Sequence, residues 1–294
     1  MSQRRTTARN VLSTVLITVA CLLVPLATVS AWALNDIADT DTYVATMEPL
    51  ASDTAVKEDV ADAVTEAIMT YVSRTGRSGG SSGDRGPLHG GVETFVNDAV
   101  RSFTGTKAFR AAWNAANRAT HDAVVRELRG GHGDEVGFDL APISAHIKQQ
   151  LLDDSVPFAE HIPVEHTDVT LLGPKDLAVS RKGFRMLQVM GLWLPVAAVG
   201  CAVGGVAAAV RRRRAVLATA LGVALGAAVL LGTIAVGRGL ALGDLPPDVS
   251  RAAAGAVYDA LTRSLRVTAW SIAGGAAGVA AVAFFLTRRG SPRS

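Results

Sequence analysis

The sequence predicts a mainly α protein: a four-helix transmembrane bundle with an extracytoplasmic helical domain and two short β-like runs that can pair as a two-stranded element. Three observations support this prediction. Four apolar segments each reach the roughly 20 residues that a helix needs to cross a bilayer. The stretch between the first two segments contains most of the acidic residues of the chain. The short stretches that we place in the cytoplasm contain ten charged residues, and all ten are arginine.

The four predicted spans are residues 11–34, 186–210, 215–236 and 267–286, and none contains Asp, Glu, Lys, Arg or His. Proton relays and ion pathways usually need ionisable groups at membrane depth. Ion-coupled transport through the bundle is therefore disfavoured. Small residues four positions apart allow helices to approach closely in lipid, although an Ala/Gly-rich composition also produces this spacing by chance. The pairs are Gly200 and Gly204, Gly222 and Gly226, and Gly274 and Gly278.

Basic residues cluster in three short segments, 1–10, 211–214 and 287–294, each at the end of a predicted span. Clustered Lys and Arg in short loops mark the cytoplasmic side of a membrane protein. We therefore predict a multi-pass plasma-membrane protein with both termini in the cytoplasm and with 35–185 and 237–266 outside. The residues that determine this topology are Arg4, Arg5, Arg9, Arg211, Arg212, Arg213, Arg214, Arg288 and Arg289.

The first span has an alternative interpretation as a signal peptide. Arg4 and Arg5 precede the apolar stretch, and Ala31-Trp32-Ala33 resembles a small-residue cleavage site. The apolar core of a signal peptide is typically only about 7–15 residues long, which is shorter than this segment. We favour an uncleaved membrane helix, and the domain that follows is outside in either case.

The formal net charge of +3 is unevenly distributed, because 35–185 holds 23 acidic and 15 basic residues. A nucleic-acid-binding domain carries clustered basic residues, so nucleic acid is excluded as a partner. The predicted partners are the lipid bilayer and either an envelope protein or a second copy of the chain. The two cysteines, Cys21 and Cys201, both lie in spans, so the outer domain has no disulfide and depends on packing.

The first part of the outer domain is predicted to be helical. Residues 35–48 continue the first span as a helix that Pro49 ends. A second, amphipathic helix follows, with Ser52 or Asp53 as its N-cap. Its apolar residues recur every four positions: Val56, Val60, Val64, Ile68 and Val72. Residues 73–91 are rich in Gly and Ser and are predicted to form a flexible linker.

The rest of the outer domain contains two more helices, one ending at Gly105 and one starting at Thr106, whose aromatic residues are typical of a core. The β-like runs are 136–140 and 169–172, with a short helix starting at Pro142 between them. A helix from about Lys175 is predicted to run unbroken into the second span. In 237–266, an amphipathic helix after Pro246-Pro247 is predicted to pack against the rest of the protein rather than lie on the membrane.

The sequence contains no catalytic constellation and no cofactor motif: G-x-S-x-G, a Walker A loop and a G-x-G-x-x-G after a strand are all missing. His161 and His166 each follow a glutamate, and imidazole with carboxylate can hold zinc. Pro163 keeps them off a common helical face, however, so they are weak metal candidates and a solvated loop is preferred. The row of Asp36, Asp39 and Asp41 is likewise interpreted as a solvated face.

Three stretches of the outer domain carry a resemblance to a known family. They are 41–46 with Pro49-Leu50-Ala51, then 108–113 with 117–121, and then 139–143. In this order, after one span and before three more, they resemble an actinobacterial family of uncharacterised integral membrane proteins. The resemblance implies the same topology, an outer helical domain and no assigned activity.

We therefore predict a non-enzymatic envelope protein whose outer domain binds a partner or ligand, with no cofactor. The alternative is a permease-like subunit of FtsX/MacB topology that works with a cytoplasmic ATPase, since that class also places a large outer domain between its first two spans. An extracytoplasmic zinc hydrolase at His161 and His166 is a third hypothesis.

Overall fold

The computed structural model describes residues 2–76, 87–130, 136–139, 148–149, 152, 168–172, 174–246 and 249–289, and within these ranges the protein is mainly α-helical. The chain divides into two compact units. The membrane unit comprises Met1–Asp39, Ser180–Ala241 and Leu261–Ser294. The polar unit comprises Thr40–Val179 and Leu242–Ala260.

The elements follow one another in a simple order. In the described residues the helices are α1 (Ser2–Trp32), α2 (Thr40–Met47), α3 (Thr54–Gly76), α4 (Pro87–Thr104), α5 (Lys107–Gly130), α6 (Pro174–Ala208), α7 (Arg212–Gly243) and α8 (Arg251–Arg289). A π-helical turn, Ala33–Ile37, follows α1, and a 3-10 turn, Glu48–Ser52, follows α2. Strands β1 (Val136–Asp139) and β2 (Asp168–Leu172) lie between α5 and α6.

Four helical segments of the described chain are long and apolar enough to cross a membrane: Arg9–Ile37, Lys182–Ala208, Arg212–Gly243 and Arg251–Phe285. Each coincides with one predicted span, although α6 ends two residues before the predicted limit of 210. Large apolar side chains on these helices are exposed, for example Leu22 at 65%, Leu221 at 62% and Phe285 at 63%. Soluble proteins rarely expose apolar surface on this scale. The chain is therefore a multi-pass membrane protein.

Two side-chain hydrogen bonds hold α1 in the membrane unit. The Ser13 hydroxyl donates to the backbone carbonyl of Gly205 on α6 at 2.7 Å. At the other end of α1, the Trp32 indole N–H donates to the carbonyl of Leu261 on α8 at 3.1 Å. No water competes for these groups in hydrocarbon, yet such bonds contribute only about 0.6 kcal/mol each on average. The main effect of the two bonds is to fix the position of α1 against α6 and α8, and their contribution to the free energy of folding is small.

The glycine pairs differ in what they contact. Gly222 and Gly226 face α1: a methyl group at Gly222 would overlap the sulfur of Cys21, and one at Gly226 would lie 3.1 Å from the Cys21 carbonyl oxygen. By contrast, a methyl group at Gly200, Gly274 or Gly278 would meet nothing within 4 Å. On α6 the close contacts are made by Gly191 against Leu34 and by Gly205 against Ile17, with Gly204 only in ordinary contact. One of the three predicted pairs thus lies at a close helix contact.

Pro25 explains why α7 approaches Cys21. A proline inside a helix has no N–H, so the carbonyl four residues earlier, that of Cys21, loses its helical hydrogen bond. Gly226 lies against this carbonyl and has no side chain to keep α7 away. Neighbouring helices commonly accommodate a proline in a membrane span in this way.

The helices of the polar unit begin at capping residues. Asp53 caps α3, because its carboxylate accepts the backbone N–H of Ala55 at 2.9 Å and of Val56 at 3.2 Å. The hydroxyl of Thr106 caps α5 by accepting the N–H of Phe109 at 3.1 Å. The prediction left Ser52 and Asp53 open for α3, and Asp53 is the cap.

The contact between α3 and α4 involves a different face of α3 from the predicted one. Ala61, Thr65 and Met69 are buried, whereas Val64 and Ile68 are 38% and 37% exposed. Between the helices, the Asn97 amide donates to the Asp62 carboxylate at 3.1 Å. The predicted apolar stripe is therefore buried at Val56 and half-buried at Val60, and the prediction is wrong for Val64, Ile68 and Val72, which are exposed.

Three boundaries differ from the predicted ones. Residues 35–48 are not one helix, because the π-helical turn closes with Ala38 N–H to Ala33 carbonyl at 2.9 Å and α2 starts afresh at Thr40. The predicted linker 73–91 is partly helical: its ends belong to α3 and α4, while 77–86 lie outside the described residues. Pro87 suits the first position of a helix and explains the early start of α4.

The amphipathic stretch after Pro246-Pro247 is the first part of α8 rather than a separate helix. The Ser250 hydroxyl accepts the N–H of Ala253 at 3.3 Å and caps it. No proline interrupts the chain between Arg251 and Arg289, so the helix continues into the fourth span. The predicted helix from Lys175 into the second span is confirmed by α6.

The strands β1 and β2 pair antiparallel, with Phe138 opposite Val169 and Asp139 opposite Asp168. The register shifts between Val136 and Gly137. They lie where the sequence shows its two β-like runs. The predicted helix from Pro142 falls mostly outside the described residues.

Candidate functional site: the cleft between α2 and α5

A tryptophan sets the spacing of α2 and α5. Trp113 on α5 donates its indole N–H to the carbonyl oxygen of Met47 at 2.9 Å. Met47 is the last residue of α2 and is 3% exposed. The last carbonyls of a helix have no partner within the helix, so this bond satisfies a buried acceptor. The buried ring of Phe109 lies beside Trp113, with centroids 6.3 Å apart.

An ion pair and a hydrogen bond connect the start of α2 to α5. The Arg118 guanidinium donates to the Asp41 carboxylate at 2.6 Å. The two side chains are 48% and 83% exposed, so water screens the pair and its contribution is about 1 kcal/mol or less. The Thr40 hydroxyl donates to the Asp122 carboxylate at 2.6 Å. These contacts orient the carboxylates rather than neutralise them.

His121 joins the same group of side chains. Its Nδ1 lies 3.0 Å from the Thr40 hydroxyl oxygen. A threonine hydroxyl has one proton, which Thr40 gives to Asp122, so Nδ1 of His121 is the donor in this bond. The imidazole stacks on Tyr43 with centroids 4.2 Å apart and 18° between the planes. Burial raises the pKa of Tyr43, so its phenol is neutral at physiological pH.

An open cleft of about 770 Å³ lies between the two helices. This volume is within the range of about 300–1,000 Å³ that is typical of ligand pockets. Its remaining wall consists of Val44 and several alanines. Its polar lining is Asp41, Glu48, Asn114, Arg118 and Asp122, which is three carboxylates against one guanidinium. The cleft therefore offers mainly hydrogen-bond acceptors and carries negative charge.

Asn114 lines the cleft and also carries an unsatisfied polar atom. Its side-chain oxygen is buried away from the open space, and among the described residues it is the buried side-chain atom that lacks a hydrogen-bond partner. Leaving a buried acceptor unpaired costs about 1–3 kcal/mol. Asn117, three residues later, instead donates to the carbonyl of Trp113 at 2.9 Å.

The predicted metal candidates His161 and His166 lie outside the described residues. Within the described ranges, no three His, Cys, Asp or Glu side chains are grouped closely enough to hold a metal ion. Of the aspartate row, Asp41 pairs with Arg118 and lines the cleft. Cys21 and Cys201 are free thiols in the membrane unit. The arginines that determine topology are not tested by these contacts, and their orientation stays a prediction.

Sequence reasoning missed Thr40, Glu48 and Asp122. A signal was present: Asn114, Arg118 and Asp122 recur every four residues and so lie on one face of α5. Asp41 and Glu48 are seven residues apart, which is two helical turns. A polar stripe on each of two helices indicates a shared cleft once the helices are known to be neighbours.

No protein-family model, no curated protein and no solved structure matches this chain. The resemblance to an actinobacterial family of membrane proteins therefore stays a prediction. The function of the cleft has to be inferred from its own chemistry.

Proposed function

We propose that the protein is a non-enzymatic plasma-membrane protein of the cell envelope whose polar unit lies outside the cell and binds a ligand or protein partner in the α2–α5 cleft. The observation that carries the proposal is an open cleft of about 770 Å³ whose lining holds three carboxylates against one guanidinium. The cleft has the size of a ligand site, and its carboxylate oxygens are hydrogen-bond acceptors.

The chemistry of the cleft selects the kind of group that it binds. Hydrogen bonds from cationic donors to carboxylates are roughly twice as strong as neutral ones. Arg118 already engages Asp41, whereas Glu48 and Asp122 add negative charge along the same cleft. The expected ligand group is therefore an amine or guanidinium, such as a basic side chain of a partner protein.

Site-specific photo-crosslinking of the full-length chain in its native membrane tests the proposal. A photoreactive residue in place of Ala119, which lines the cleft, should capture the bound ligand or partner. The same residue at Glu58, which is exposed on α3 and does not line the cleft, is the matched control. Glu48→Gln and Asp122→Asn combined with the Ala119 probe should remove the adduct, because the carboxylate that remains, Asp41, is already paired with Arg118.

Two results would contradict the proposal. One is an Ala119 probe that yields no adduct, or the same adducts as the Glu58 probe. The other is an adduct that persists undiminished in the Glu48→Gln/Asp122→Asn background, since the carboxylates of the cleft would then not hold the bound group.

The orientation is tested separately in a Cys21→Ser/Cys201→Ser background. A membrane-impermeant maleimide added to intact cells should label Glu58→Cys, in the polar unit, and should not label Arg214→Cys. The opposite pattern would place the polar unit in the cytoplasm.

The permease-like alternative receives no specific support from the described contacts. The connection between α6 and α7 is only three residues long, from Ala209 to Arg211, which offers an ATPase very little surface. We therefore retain the binding function as the proposal.

A further inference from the structure

The membrane unit contains a groove of about 610 Å³ between α6, α7 and α8. Its walls are apolar and come from all three helices, with Val203 and Val206 on α6, Val216 and Val223 on α7, and Ile272 on α8. Two lining residues are polar: Thr219, whose hydroxyl donates to the Ala215 carbonyl at 2.9 Å, and Arg212, the first residue of α7. The groove is therefore apolar along its length and cationic where α7 begins.

The length of the groove corresponds to one leaflet of a bilayer. Along α7 its lining extends from Arg212 to Val223. At about 1.5 Å per residue this is about 16 Å, which is half of a hydrocarbon core of about 30 Å. An extended acyl chain of one leaflet therefore has the length to follow the groove from the membrane surface to the midplane.

Positive charge concentrates at the end of the groove where a lipid phosphate would lie. Arg212 is exposed and is flanked by Arg211, Arg213 and Arg214. The carbonyl of Arg211 accepts the N–H groups of Arg214 and Ala215, and α7 starts here with the positive end of its helix dipole. A helix N-terminus and a guanidinium both favour a phosphate, and basic pockets between membrane helices bind anionic head groups.

We infer that the α6–α7–α8 groove binds one anionic phospholipid, with an acyl chain along α7 and the phosphate on Arg212. The apolar wall excludes a soluble phosphate compound as the natural occupant, because such a molecule would leave most of the groove empty. A membrane helix from a partner would fill the apolar part but would not by itself bring an anionic group to Arg212. The inference is independent of the α2–α5 cleft and goes beyond the proposed function.

Lipid binding to the full-length chain in a neutral detergent, counted by native mass spectrometry, tests the inference. Phosphatidylglycerol should bind at least about fivefold more tightly than phosphatidylcholine with the same acyl chains, since one arginine near a membrane surface accounts for a factor of this size. Inorganic phosphate at millimolar concentration should not displace it, because phosphate alone does not occupy the apolar groove.

Two pairs of variants locate the lipid. Arg212→Gln should weaken phosphatidylglycerol binding by about fivefold, whereas Arg214→Gln, which removes the same charge from the same turn outside the groove lining, should change it little. Gly275→Leu should weaken binding by tenfold or more, at about fourfold per displaced methylene. Its control is Gly274→Leu: a methyl group meets nothing within 4 Å at either glycine, but only Gly275 lines the groove.

The inference is overturned if phosphatidylcholine binds as tightly as phosphatidylglycerol, or if inorganic phosphate displaces the lipid. It is also overturned if Arg212→Gln weakens lipid binding no more than Arg214→Gln does, or if Gly275→Leu weakens it no more than Gly274→Leu does. The helical circular dichroism of all four variants identifies any that fails to fold. If a variant of one pair fails to fold, the other pair still tests the inference, because the arginine pair tests the head group and the glycine pair tests the acyl chain.

Discussion

Replacing Gly222 with alanine tests the contact between α1 and α7. The new methyl group would overlap the sulfur of Cys21 and lie 3.2 Å from its Cβ. Rotation of Cys21 about χ1 moves the sulfur but leaves Cβ in place. The clash is therefore only partly relieved by a rotamer change, and α1 and α7 have to separate by a few tenths of an ångström or more.

The expected magnitude follows from two opposing effects. Overpacking at a close contact costs about 1–3 kcal/mol. Alanine is also a better helix former than glycine by about 1 kcal/mol. Gly232→Ala on the same helix experiences only the second effect, because a methyl group there meets nothing within 4 Å. The difference in unfolding free energy between the two variants should thus be about 1–3 kcal/mol, with Gly222→Ala the less stable.

The measurement is reversible unfolding of the full-length chain by SDS in a mild detergent, followed by helical circular dichroism. In a double-mutant cycle, Cys21→Ala should recover more than half of the cost of Gly222→Ala, because it removes the sulfur and keeps Cβ. Equal stability of Gly222→Ala and Gly232→Ala would refute the reasoning, and so would additive effects of Gly222→Ala and Cys21→Ala.

Three further predictions concern the polar unit and use the same unfolding measurement. Asp53→Ala should cost about 1 kcal/mol by removing the cap of α3, whereas Ser52→Ala should be neutral. Trp113→Phe should cost about 1 kcal/mol, the net contribution of one hydrogen bond, because the Met47 carbonyl loses the indole donor, and Trp193→Phe, at a side chain that is 65% exposed, should have little effect. Burial raises the pKa of Tyr43, so its contribution to stability is complete below its ordinary pKa of about 10 and is lost as the pH rises through the higher folded value. Tyr43→Phe should therefore reduce the loss of stability above about pH 10.

The spans could be predicted because their signal is local: a long run without charge has few structural alternatives. The buried face of α3 could not be predicted from the sequence. Val64 and Ile68 recur with the same period as Ala61 and Thr65, and the two sets differ only in which neighbouring element they face. For the same reason, the spacing of the glycine pairs does not predict which pair lies at a close helix contact. Gly222/Gly226 and Gly274/Gly278 are identical as motifs, but only the first pair faces another helix closely, and that depends on the position of α1.

The cleft could likewise be predicted only in part from the sequence. The polar periodicity of Asn114, Arg118 and Asp122 is visible in the sequence, but its meaning depends on α2 lying opposite. The prediction of one continuous helix through 35–48 also hid the start of α2 at Thr40, from which Thr40 and Asp41 reach α5. Residues with weak helix preference, Asn35, Asp36 and Asp39, precede this start and were the available warning.

Pro25 has a mechanical consequence for α1. The helix is fixed towards one end by Ser13 on α6 and at the other by Trp32 on α8. Between these points the Cys21 carbonyl already lacks its helical donor, so bending there breaks no further backbone hydrogen bond. A bend elsewhere in α1 would break one backbone hydrogen bond. A force along α1 is thus absorbed at the Cys21–Pro25 turn, and the element that it displaces is α7, which rests on that turn through Gly222 and Gly226.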